Sequence, residues 1–430
     1  MKHRIALAAT LVALFVPAAF VRAQTVSGQD LSSTRPADGL IDAMGQPERW
    51  FTEETARAFV TMATCEGRDG QAASALSVKV GAEKLYGLAM RRVTPSHAWN
   101  EADGLCFWVK GDGSENWGNL HIQAADYRKA WVASFPLNDS QWHEVRVAWG
   151  DFVPTTAFWR ELGDADGARP GDVDLVGFGK EWNFNLVHKS PEIAFGVQNL
   201  GLARGVKARR PRVAVSKLPP LESVVRKLKA GEPVTILALG DSITWGTSAG
   251  GNQNAYPAVL VALLKEHYHN DRITLVSRAI GGSTTAKGRE WLMRDVQGLE
   301  ADLITAMFGY NERPGAGADP AAATTQYTAN LVRYVEEVAG ILKAPPACVL
   351  LAPTPGRQAN WEALDAYAQG VRDLGKQYAN LTIADANAFM KQMGQEAYGK
   401  MMADEAHPNP EGQKVLAGVV FRAIIAEPRR

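Results

Sequence analysis

Cysteine is scarce in this chain: three residues in 430, too few for a disulfide framework. Cys65, Cys106 and Cys348 make an odd set, so an oxidising compartment would leave at least one thiol unpaired. Cys65 and Cys106 could pair, which spacing alone does not decide. Cys348 precedes the apolar run Val349-Leu350-Leu351 and reads as an inert buried thiol. No Cys/His spacing resembles a zinc site, and neither a metal nor a cofactor is expected. Asp164-Ala165-Asp166-Gly167 has the opening of a calcium loop without the rest of the ligand set, and a solvated loop accounts for it. An excess of one charge is missing as well. Lys plus Arg and Asp plus Glu both total 46, whereas proteins that grip phosphate backbones carry a basic surplus, which argues against nucleic acid as a partner. Long apolar runs are confined to the start. There Met1-Lys2-His3-Arg4 precedes an apolar stretch from Ile5 to Phe20, broken by Pro17 and followed by small residues around Val21-Arg22-Ala23. Residues 1–23 therefore read as a cleaved export signal, leaving a secreted or periplasmic chain with no membrane span.

What is abundant is tryptophan, and it is unevenly placed: nine of twelve lie before residue 215. In that half, short runs alternate apolar and polar residues, as half-buried strands do. Val145, Val147 and Trp149 alternate with Glu144, Arg146 and Ala148, and Leu120 and Ile122 with His121 and Gln123. Gly and Asp clusters separate the runs, which suggests an antiparallel β-sandwich. After a basic, proline-bearing stretch the rhythm becomes strand, loop, helix. Strands are expected at 234–239, 273–276, 303–308, 349–352 and 381–384. Helices are expected at about 257–268, 289–299, 321–342, 361–378 and 411–425. Apolar strands alternating with helices make a parallel sheet covered on both faces, with its chemistry at the carboxyl ends of the strands. The expected order is signal 1–23, flexible segment 24–45, sandwich 46–206, linker 207–230 and α/β domain 231–430.

Chemistry-bearing residues stand at those strand ends. The first strand runs into Gly240-Asp241-Ser242, the second into Gly281-Gly282-Ser283, and the third into Gly309-Tyr310-Asn311-Glu312. Asp404-Glu405-Ala406-His407 precedes the last helix. A serine hydroxyl needs an adjacent base to attack at neutral pH. His407 is the one histidine of this half in a strand-end loop, while His267 and His269 end a helix among charged residues and read as surface. Asp404 could hold the imidazole or only cap the final helix. Gly281-Gly282 could be a plain turn, and Asp241 reads as a structural hydrogen-bond acceptor.

Taken in order, the four blocks resemble the SGNH (GDSL-type) hydrolases over the last half of the chain. Two positions depart from the usual pattern: Ser277-Arg278 stand where Asn often precedes the second-block glycine, and Glu312 stands where Asp often follows the third-block Asn. The resemblance implies a flavodoxin-like α/β fold and a catalytic triad of Ser242, Asp404 and His407. It implies an oxyanion hole from the Ser242 and Gly282 N–H groups and the Asn311 side chain, with Gly281 as a register alternative. The front half resembles jelly-roll carbohydrate-binding modules, carried by Leu105 to Gly113 and Trp142 to Trp149, although most of its tryptophans would simply fill a core. The combined expectation is an all-β jelly roll ahead of an SGNH domain. Such a chain would be an exported serine esterase removing acyl groups, acetyl first, from carbohydrate or another small ester. Two alternatives stand beside it: a lipase, lysophospholipase or thioesterase of the same superfamily, and a non-catalytic glycan-binding protein. Trp245 could wall an acyl pocket or pack locally.

Overall fold

Eleven strands precede residue 204 in a computed structural model that describes residues 39–426, apart from 83, 85, 125–128, 156–159, 165–167, 181–191 and 314–318. The expected signal at 1–23, and the Asp164 loop beyond Asp164, lie outside the described residues. The strands are β1 (Leu40–Asp42), β2 (Val60–Cys65), β3 (Ala75–Val80), β4 (Gly87–Arg92), β5 (Gly104–Lys110), β6 (Trp117–Ala124), β7 (Lys129–Pro136), β8 (His143–Ala148), β9 (Val153–Pro154), β10 (Val173–Lys180) and β11 (Ile193–Ala203). They form two antiparallel sheets, β2-β3-β11-β5-β8 with β1 added beside β11, and β4-β10-β6-β7-β9. Because β1 pairs with β11, the sandwich begins inside the stretch expected to be flexible.

Alternation drives the packing. Leu105, Phe107 and Val109 of β5 meet Leu120 and Ile122 of β6 across the core, and Phe107 packs edge-on against Phe135 and Phe178 at 5.1 and 5.0 Å. Trp50, Trp99 and Trp131 are core residues, as a filling role for tryptophan predicts. Cys65 on β2 and Cys106 on β5 are free thiols, separated in the sheet by β3 and β11, so the pairing left open by the sequence is not made. Cys348 is fully buried, and burial pushes its thiol up to about 12.

The second half has five parallel strands, β12 (Val234–Gly240), β13 (Ile273–Ser277), β14 (Leu303–Met307), β15 (Ala347–Leu351) and β16 (Leu381–Ala384), ordered β13-β12-β14-β15-β16. Its helices are α1 (Glu222–Lys229), α2 (Ser242–Trp245), α3 (Tyr256–Tyr268), α4 (Thr285–Glu290), α5 (Leu292–Asp295), α6 (Pro320–Ile341), α7 (Asp365–Gln377), α8 (Ala386–Gln392), α9 (Gln395–Gly399) and α10 (Pro410–Ile425). Both faces of the sheet are covered. Leu237, Ile304 and Leu350 face α6 and α7, while Ile236, Leu303 and Val349 face α3 and α10. The single helix expected at 289–299 is instead the pair α4 and α5. The Thr284 hydroxyl caps Lys287 N and starts the helix early, and Trp291 leaves helical geometry between the two. Likewise α7 starts at Asp365, because residues 361–364 form turns.

The 207–230 stretch packs rather than dangles. Pro211 lies so close to α6 that a Cβ on Gly340 would sit 2.1 Å from its carbonyl oxygen, and α1 buries Val224 and Leu228. The two halves belong to one contact unit, Pro36–Arg430. Between them lies a buried ionic cluster. Arg289 of α4 donates to Glu161 of the sandwich at 2.5 and 3.3 Å and to Glu337 of α6 at 3.1 and 2.8 Å. Arg210 and Arg333 also donate to Glu337, at 2.9 and 2.7 Å. Next to it, Glu290 accepts from Asn119 Nδ2, and its carbonyl accepts from the Ser134 hydroxyl, both at 3.1 Å.

Candidate active site

The order of the parallel sheet reverses at β12, which has β13 on one side and β14 on the other. Such a reversal opens a crevice at the strand's carboxyl end. Gly240 closes β12 where a side chain has no room: a Cβ there would lie 2.1 Å from Thr244 Oγ1 and 2.5 Å from the Met307 carbonyl oxygen. Asp241 then caps the one-turn helix α2, its Oδ1 accepting from Ile243 N at 2.9 Å. Ser242 is the first residue of that turn and is half-buried.

His407 bridges to this serine from the loop before α10. Its Nε2 lies 2.9 Å from Ser242 Oγ, and its Nδ1 lies 2.8 Å from Asp404 Oδ2. Asp404 Oδ1 also accepts from the backbone N–H groups of Ala406 and His407, at 2.8 and 2.7 Å. Slight burial opposes the charge on Asp404, but the His407 ring and these N–H groups outweigh it and hold the carboxyl below its usual value. The carboxylate is thus tied to the loop that carries the imidazole. Helix α10 is capped instead by Asn409, which accepts from Glu411 N and Gly412 N at 3.1 Å each, so Asp404 is free of the capping task weighed for it. His267 and His269 are exposed at the end of α3.

The residues expected to supply oxyanion donors stand at the next two strand ends. The chain leaving β13 stays paired to β12 through Arg278 N to Ala238 O and Ile280 N to Gly240 O, both at 2.9 Å. It then turns, with Gly282 at φ +70° in the left-handed region that favours glycine. Gly282 is exposed and Gly281 buried. Asn311 Nδ2 donates to the Ser283 carbonyl at 2.9 Å and lies 3.5 Å from Asp241 Oδ2, which draws the three loops together. Asp241 is buried, and this pushes its carboxyl up to about 6 against the pull of Ile243 N and the nearby His407. Trp245 is half-buried at the end of α2. A narrow crevice with no room for a water molecule lies beside the turn that carries Ser242, lined by Asp241, Ile243, Met307, Phe308, Tyr310, Pro353, Thr354 and Leu364.

Two features of the site have no counterpart in the sequence reading. One is Glu312, noticed there only as a departure from a pattern, which is buried and bonded to two separate loops. Its position beside Asn311 was the available signal. The other is the tie from α4 to the sandwich, whose partners are far apart in sequence and leave no local trace.

Residues 238–415 match the GDSL-like lipase/acylhydrolase family, and residues 34–177 match the carbohydrate binding domain (family 11). No curated protein matches the chain. Among solved structures it is similar to the acetyl xylan esterase AlAXEase, at 18% identity over 45% of this chain and 100% of that one, with a TM-score of 0.36. It is similar to the acetylxylan esterase Axe2 from Geobacillus stearothermophilus, at 22% identity over 45% and 95% of the two chains, with a TM-score of 0.38. A two-domain esterase active on acetylated mannans is 21% identical over 48% of this chain and 55% of its own, with a TM-score of 0.37. The chain carries a GDSL-like lipase/acylhydrolase domain of the SGNH hydrolases at 238–415, behind a family 11 carbohydrate-binding jelly-roll domain at 34–177.

Proposed function

We propose that this protein is an exported serine esterase that removes short acyl groups, acetyl above all, from carbohydrate through an acyl-serine intermediate. The observation that carries the reading is the unbroken hydrogen-bond chain from Asp404 through His407 to Ser242, at 2.8 and 2.9 Å. His407 Nε2 takes the Ser242 proton as Oγ attacks the ester carbonyl, and Asp404 steadies the imidazolium that forms. The negative charge on the carbonyl oxygen is met by the N–H groups of Ser242 and Gly282 and by Asn311 Nδ2. His407 then passes its proton to the leaving alcohol. Water, activated by the same base, attacks the acyl-serine and regenerates Ser242.

One observation favours a sugar ester: residues 34–177 match a carbohydrate binding domain. Export is proposed from the basic-then-apolar start of the chain, residues 1–23.

The test compares p-nitrophenyl acetate, butyrate and octanoate with acetate release from acetylated xylan. Activity on the acetyl ester and the polysaccharide is expected. A preference for octanoate with no polysaccharide deacetylation would transfer the protein to the lipase and thioesterase reading. A folded protein inactive on every ester would transfer it to glycan binding alone.

A further inference from the structure

Glu312 is 1% exposed, and no ion pair joins it to a cation among the described residues. A carboxylate in such a place costs stability, and burial pushes this one up to about 7, opposed by its hydrogen bond from Thr285 N. Its geometry is specific. Oε1 accepts from Thr285 N at 2.5 Å, and Oε2 accepts from Gly309 N at 2.9 Å. The first donor opens α4, immediately after the Gly282-Ser283-Thr284 turn. The second opens the loop that carries Asn311. One side chain therefore clasps together the two loops that hold Gly282 and Asn311. The backbone of Glu312 is itself anchored: its N–H bonds Gly309 O at 3.2 Å, and its carbonyl accepts from the Tyr367 hydroxyl at 2.6 Å. Tyr367 stacks on Tyr327 at 4.4 Å, and the Tyr327 hydroxyl holds the Phe308 carbonyl at 3.0 Å. The third-strand loop is thus fixed from beneath, and Glu312 extends that fixity sideways to the second-strand loop.

We infer that Glu312 is a positioning residue for the oxyanion hole: it sets the spacing between Gly282 N–H and Asn311 Nδ2 without touching substrate. The inference rests on the esterase reading above. Donors to a developing oxyanion must sit where the charge will be, and a shift of an ångström in either loop weakens both. A carboxylate is suited to this because it offers an acceptor to each loop at once. Glutamine offers one acceptor and one donor, and would set an N–H against a backbone N–H. Aspartate keeps both acceptors on an arm one methylene shorter, and can hold one loop fully but not both at these distances.

The experiment measures kcat and KM on p-nitrophenyl acetate for wild type, Glu312→Gln, Glu312→Asp and Ser242→Ala. Rates are expressed per active site, titrated with a fluorophosphonate, so that partly folded protein does not count. The expected result is a kcat per titrated site at least tenfold lower for Glu312→Gln, with KM within about twofold of wild type, and an intermediate kcat for Glu312→Asp. A trifluoromethyl ketone, which presents an oxyanion once bound, should lose affinity in step with kcat/KM. Wild-type kcat per titrated site in both Glu312 variants overturns the inference, as does a loss confined to the number of titrated sites. In either case an inactive Ser242→Ala leaves the esterase reading intact. Wild-type activity in Ser242→Ala removes that reading itself.

Discussion

Replacing Glu337 by glutamine should destabilise both halves of the protein together. Glu337 is fully buried and receives hydrogen bonds from Arg210, Arg289 and Arg333, while Arg289 also reaches Glu161 in the sandwich. The glutamine keeps the volume but removes the negative charge shared by three guanidinium groups, two of them deeply buried. Breaking a buried pair by removing one partner costs about 3–5 kcal/mol. At 2–4 °C per kcal/mol for a large domain, that lowers Tm by roughly 6–20 °C. Calorimetry should show one transition shifting, because the cluster spans the sandwich and the parallel-sheet half. The effect has a pH signature. Burial opposes the charge on Glu337, but Arg210 and Arg289 overcome it and bring the carboxyl down from its usual 4.5 to about 2. A depressed carboxyl contributes stability that is complete above its unfolded value and fades as pH falls toward the folded one. The gap between wild type and Glu337→Gln should therefore be constant above about pH 5 and close between roughly pH 4.5 and 2. A variant within 1 °C of wild type at pH 7, or a gap that does not change with pH, would refute the reasoning.

Other consequences can be checked on the same preparations. Asn311→Ala should lower kcat by about 10²–10³ in a steady-state assay on p-nitrophenyl acetate, with little change in KM. Asp404→Asn should reduce kcat by roughly 10³–10⁴ while leaving the circular dichroism spectrum unchanged, since the amide no longer favours the required imidazole tautomer. Gly240→Ala should fail in a different way: its Cβ would lie 2.5 Å from the rigid Met307 carbonyl, so thermal unfolding and activity should suffer together.

The parallel-sheet half was largely legible because its strands are buried on both faces and so read as unbroken apolar runs. Val234 to Leu239 and Val349 to Leu351 could belong to little else. Helix boundaries were harder. The Thr284 cap competed with an apolar pattern that runs on to Val296 and Leu299, and the pattern pulled the expected helix several residues late. Ser242, Gly282 and Asn311 were readable because each stands just past a strand, whereas Asp404 and His407 lie beyond α8 and α9 and were legible only as a short block ahead of the last helix. The clasp at Glu312 and the cluster at Arg289 were not readable. Glu312 reaches a donor 27 residues away, and Arg289 finds its partners 48 and 128 residues away, separations at which no periodicity survives.

The account turns on Ser242 being the nucleophile that His407 activates. Folded wild type and Ser242→Ala should be treated with a fluorophosphonate, and the adduct located by peptide mass spectrometry alongside residual activity on p-nitrophenyl acetate. A single adduct on Ser242, formed in proportion to the activity lost and absent from an inactive Ser242→Ala, is the predicted result. No adduct on folded wild type, or full esterase activity in Ser242→Ala, would contradict it.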